Sequence, residues 1–163
     1  MSLYDRINAV TDRAHRKDAA LGHPHYCPVL VRHLSLTPGT FQPVIEDTLL
    51  NDPPPRVTNV SPKLTGLDVG GGTASAISVY VSANDKELRI SRSVPFDTFV
   101  RDDSKRAHLW LGVEFDATGE VVYDDALRNL SHPATEYTII HIDDRDCCEW
   151  RLIIRKARDQ NSR

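Results

Sequence analysis

Two-residue alternation of apolar and polar side chains runs through the second half of the chain and limits its fold more than any other feature. Leu109, Leu111, Val113 and Phe115 alternate with His108, Trp110, Gly112 and Glu114. Cys148, Trp150, Leu152 and Ile154 share a second such face, with Glu149, Arg151 and Arg155 opposite. Residues i and i+2 point to the same side of a strand, so each segment has one side to bury and one side to leave in water. Antiparallel hairpins satisfy both needs.

The pattern recurs. Ile77, Val79 and Val81 alternate with Ser78, Tyr80 and Ser82, and Asn84-Asp85 offers a turn into Leu88 and Ile90. Asp116-Ala117-Thr118-Gly119 turns the chain into Val121–Tyr123, and Asp143–Asp146 joins a strand over Tyr137–Ile142 to one over Cys148–Ile154. Val29–Leu34 reads as an earlier strand, Arg56–Val60 as a short one, and Val94–Phe99 as one helical turn with Pro95 near its start. The expected class is mainly β: a small antiparallel β-barrel or sandwich with an N-terminal α-helix and a long Pro/Gly-rich arm.

The helix is expected within residues 1–22. Ser2-Leu3-Tyr4-Asp5 has the form of a capping box, and Gly22 is a natural stop. Leu3, Ile7, Val10, Ala14 and Leu21 recur near helical spacing among charged residues. So thin a stripe buries little alone, and it predicts docking onto a larger surface or a neighbouring subunit. Residues 37–72 read as an extended arm. Pro53, Pro54 and Pro55 forbid helix there, and Gly70-Gly71-Gly72 closes the segment. Residues 73–156 form the β-rich core, and 157–163 a polar tail that orders when something binds it. Nothing divides residues 1–163 into two domains.

A chain of 163 residues suits one core, and a net charge of −3 gives no general pull toward nucleic acid or anionic lipid. No apolar run reaches the length of a membrane span, and the polar start Met1–Arg6 is unlike a signal peptide. The reading is a soluble intracellular protein. Of three cysteines, Cys147 and Cys148 are adjacent, and strand alternation would send them to opposite faces as reduced thiols.

No catalytic set emerges. Asp68-Val69-Gly70-Gly71-Gly72-Thr73 resembles the second phosphate motif of actin-like and heat-shock ATPases, which implies a small nucleotide-binding enzyme using Asp68 and Gly70–Gly72. The chain is under half the size of that two-lobed fold and lacks the companion motif, so a glycine hinge is the better-supported alternative. His23, His25 and Cys27 could begin a zinc site, but Pro24 and Pro28 suggest an extended connector. Asp143-Asp144-Arg145-Asp146 reads as a solvated turn, because Arg145 opposes a cation. No Gly-x-Ser-x-Gly elbow occurs. Arg151, Arg155, Lys156 and Arg158 suit an inter-subunit salt-bridge surface better than a nucleic-acid patch. No catalytic residue, cofactor or metal is expected.

The order of parts, from charged helix through strand and Pro/Gly-rich arm to hairpins ending in Glu136–Arg155, resembles the head–tail joining (stopper) proteins of the tailed-bacteriophage neck. That resemblance implies a non-enzymatic virion protein, assembled in the host cytoplasm into a six- or twelve-fold ring. Its partners would be further copies of itself, a portal or adaptor protein, and a tail terminator or tail tube. Packaged DNA would pass nearby without sequence-specific binding, and no membrane would be involved. The extra length in the arm and at Asp116–Ala134 leaves room for a tail terminator or baseplate relative. Interface candidates are Leu3, Ile7, Val10, Pro53, Pro54, Pro55, Arg151 and Arg155.

Overall fold

The computed structural model describes residues 1–60, 84–102, 105–130 and 133–157. The predicted strand at Ile77–Val81, the glycine segment with Asp68, and the tail beyond Ala157 lie outside them. The described elements are helix α1 (Leu3–Ala20), strands β1 (Val29–Leu36), β2 (Pro43–Leu50), β3 (Arg56–Asn59) and β4 (Lys86–Ser91), a 3-10 turn at Phe96–Thr98, β5 (Val100–Arg101), β6 (Lys105–Arg106), β7 (His108–Leu111), β8 (Thr135–Asp143) and β9 (Glu149–Lys156). The fold is mainly β, with one N-terminal helix and an antiparallel sheet, as the alternation predicts. Among the described residues no helix is long and apolar enough to cross a membrane.

Seven strands form one sheet in the order β2-β1-β7-β8-β9-β4-β3, and every pair in it is antiparallel. The sheet curls. Tyr26 bridges Arg56, Val57 N donates to His25 O at 2.7 Å, and Cys27 N donates to Pro55 O at 3.2 Å. These contacts bring edge strand β3 against the chain leading into β1. A bulge between Ile139 and His141 in β8 adds local bend. The concave side becomes one core of Val29, Val31, Leu88, Ile90, Leu109, Ile139, Leu152 and Ile154, closed by Phe99. Each such side chain, fully buried, stabilises the fold by roughly 1.5–3 kcal/mol.

Three local readings change. Residues 43–50, assigned to an extended arm, form strand β2 and pair with β1 along its whole length. The strand expected through Phe115 ends at Leu111, because Gly112 takes φ +75° with its Cα close against Pro133 O, where an added Cβ would lie 3.1 Å away. Phe115 keeps only an isolated bridge to Val121. The run Pro53-Pro54-Pro55, proposed as a partner surface, is buried within the chain, with a cis peptide before Pro53. Prolines have no N–H to satisfy, so burial leaves only acceptors to pair. His15 takes the Pro54 carbonyl and the Cys27 N–H takes that of Pro55.

Helix α1 starts at the predicted capping box, with Asp5 N donating to Ser2 Oγ at 3.1 Å and Ser2 N to Asp5 Oδ2 at 2.8 Å. It docks by a polar face beside the expected stripe, with Ile7 at the margin between them. Leu3, Val10 and Leu21 stay exposed, whereas Asn8, Thr11, Asp12, His15 and Asp18 turn inward at helical spacing. Asp12 accepts from Ser91 and, at 3.1 Å, from Ser93; Asp18 accepts from Tyr26 at 3.2 Å. His15 is buried, with Nδ1 at 3.2 Å from Pro54 O and Nε2 at 2.7 Å from Glu149 Oε1.

Both ring nitrogens of His15 face acceptors, so only the imidazolium can donate to both. Burial opposes the charge, but the Glu149 carboxylate, the Pro54 carbonyl and Asp12 outweigh it and hold the His15 pKa above its usual value. A raised folded-state pKa gives stability that is complete below the unfolded value of about 6.5 and is lost as pH rises through the folded value. Thermal melts should therefore show a lower Tm at pH 8 than at pH 6. His15→Ala should remove about 1–3 kcal/mol at pH 6 and flatten that slope; an unchanged slope would dismiss the imidazolium.

Candidate docking surfaces

The β1–β2 hairpin reaches beyond the sheet. Strand β7 pairs with Val29–Arg32, so from His33 onward β2 is the one strand partner of β1 among the described residues. Thr37 N donates to Gln42 O at 2.9 Å and Phe41 N to Thr37 O at 3.0 Å to close the tip, where Gly39 takes φ +87°. Leu34 is 54% exposed, Leu36 60%, Phe41 75% and Val44 40%. Leu34 and Leu36 share a face with their cross-strand partners Ile45 and Pro43. An isolated two-stranded ribbon is marginal in water. This one is tied back to the body by the ion pair of Glu46 with Arg101 and by His33, whose Nε2 lies 2.7 Å from Thr98 O.

The hairpin's base is fixed by a buried polar cluster. Arg32 and Asp47 sit opposite each other across β1 and β2 and pair bidentately at 2.8 and 2.9 Å, with side chains 8% and 6% exposed. Tyr123 donates to Asp47 Oδ2 at 2.8 Å, and Arg32 Nη2 also donates to Arg128 O at 2.8 Å. The segment after β7 is thereby fastened to the hairpin. Burial raises the Asp47 pKa, but its bonds to Arg32 and Tyr123 pull it below the usual carboxylate value.

The second exposed apolar surface is the outer stripe of α1. Leu3 is 72% exposed and Val10 66%, with Tyr4 and Leu21 exposed beside them; Ile7 is half-buried. Of the predicted interface residues, Leu3, Val10 and Arg155 are exposed. The prolines are interior. Arg151 pairs with Asp146 at 3.3 Å, and Arg155 grips the buried Asp85 through two hydrogen bonds of 2.9 and 2.8 Å. Their guanidinium groups act within the protomer. The hairpin was missed because Pro38, Gly39 and Pro43, which flank Phe41, read as breakers.

The rings of His23 and His25 meet at a tilt, 5.2 Å between centroids, while Cys27 and His25 line a cleft of about 410 Å³ with Val57, Lys86 and Tyr137. Burial pushes the Cys27 thiol up, which keeps it protonated at neutral pH. Among the described residues the donor atoms of His23, His25 and Cys27, weighed above as the start of a zinc site, do not converge as a ligand group. Asp143 is held down to about 2, chiefly by the Arg145 guanidinium 2.8 Å away. Cys147 and Cys148, expected on opposite faces, touch at 3.4 Å between sulfurs. They precede β9 and so escape strand alternation. Among the described residues, Asp146, Cys147 and Cys148 are the one set of at least three ligating side chains whose donor atoms lie within 4.8 Å of one another. No family model matches the chain, and no curated protein matches it.

Proposed function

We propose that the chain is a structural, ring-forming subunit of a tailed-phage neck, a head–tail connector of stopper type located in the virion. The observation that carries the reading is the β1–β2 hairpin, which leaves the body of the fold and exposes Leu34, Leu36 and Phe41. Apolar side chains on a projecting ribbon, together with a second apolar stripe on α1, are what a subunit offers when neighbours complete its burial. Among the described strands β2 lies at the edge of the sheet, along the same arm. A net charge of −3 suits a wall past which DNA moves without adhering.

The test is assembly with portal-bearing heads, read by electron microscopy and by mass spectrometry of purified particles. A stoichiometric ring supports the reading, and absence from the particles ends it. Leu36→Asp and Phe41→Asp should abolish ring formation while changing protomer stability by no more than about 0.5 kcal/mol, since both residues are exposed. Rings that persist in both variants would remove the hairpin from the interface.

A further inference from the structure

We propose that Asp146, Cys147 and Cys148 form a binding site for a thiophilic divalent cation, zinc or cadmium. The donor atoms of all three lie within 4.8 Å of one another, and the two sulfurs are 3.4 Å apart. Two thiolates on a tetrahedral zinc, each at about 2.3 Å, stand about 3.8 Å apart. A side-chain adjustment of a few tenths of an ångström therefore opens the pair to the required bite. Cys147 is exposed, so the cation has a path in.

The backbone around the pair is already held. Arg92 donates from Nε to the Asp146 carbonyl at 2.9 Å, also bonds the Asp144 carbonyl, and lies 3.6 Å from the centre of the Trp150 ring. Cys148 N–H donates to Asp146 Oδ1 at 2.8 Å, which folds the carboxylate over the cysteines. Organised ligands lose less freedom when they close on an ion.

Binding exchanges two S–H bonds for two metal–sulfur bonds, with both protons released to solvent and no change in oxidation state. The dithiolate, the carboxylate and a divalent ion together carry one net negative charge. Arg151, 3.3 Å from Asp146 Oδ2, offsets it. Three protein ligands leave one position of a tetrahedral ion to water or to a donor from a partner.

The experiment titrates the full chain with cadmium chloride under a phosphine reductant and follows the ultraviolet thiolate-to-cadmium absorption. A band saturating at one equivalent is expected, unchanged in Cys27→Ser and lost in Cys147→Ser with Cys148→Ser. Asp146→Asn should weaken binding by about tenfold or more. A second measurement uses only the unmodified chain: zinc should slow alkylation of Cys147 and Cys148, mapped by peptide mass spectrometry. No band at stoichiometric cadmium, an equal band in the double variant, or alkylation rates indifferent to zinc would each overturn the site.

Discussion

Asp47→Ala is expected to destabilise the protein by about 3–5 kcal/mol, the range for removing one partner of a buried ion pair. Arg32 would keep its charge with 8% of its side chain in contact with water. Tyr123 would lose the acceptor of its hydroxyl, so the segment after β7 would loosen from the β1–β2 hairpin. Urea unfolding followed by circular dichroism reads the loss directly. The cost belongs to the orphaned charge more than to the pair, and a double replacement separates the two. Arg32→Met with Asp47→Leu should recover a large part of the stability, because apolar groups of similar size often replace a buried pair at little cost. A loss below about 1 kcal/mol for Asp47→Ala would mean that the pair behaves like an exposed one.

The second large effect is at Phe99, the largest fully buried side chain among the described residues. It follows the 3-10 turn, its carbonyl accepts from Ala107 N at 2.8 Å, and its ring fills the core with Val31, Leu109 and Ile139. Phe99→Ala removes the ring and leaves a cavity that anchored backbone on both sides cannot close. The expected cost is about 3–5 kcal/mol, with a smaller loss for Phe99→Leu. Equal losses in the two variants would point to backbone strain in place of a cavity. Chemical denaturation should show lower midpoints with little change of slope.

Asp47 also explains why β2 was not legible. Pro43–Leu50 does alternate, but a covered position on one face holds a carboxylate where an apolar residue would have signalled a strand. A search for hydrophobic periodicity passes over a buried charge that is paired from the neighbouring strand. The helix misled in the opposite sense. Its apolar stripe at Leu3, Val10 and Leu21 was legible, yet the packed face is Thr11, Asp12 and His15. Those polar groups pack only because Glu149, Pro54, Ser91 and Ser93 lie opposite them, and that pairing spans up to 134 residues of sequence. Strands β4, β8 and β9 were legible because their concave faces are Leu, Ile and Tyr at every second position. The hairpin tip and the touching cysteines were not, since turn geometry sets both and periodicity carries no information about turns.

The place of β9 has a consequence for synthesis. It lies between β8 and β4 inside the sheet, although it is the last described strand along the chain. Until residue 156 has left the ribosome, the β4–β3 and β8–β7 ribbons lack the described strand that lies between them. The nascent chain waits with apolar faces and unpaired edges exposed, and a chaperone that holds such edges would act before the final strand arrives.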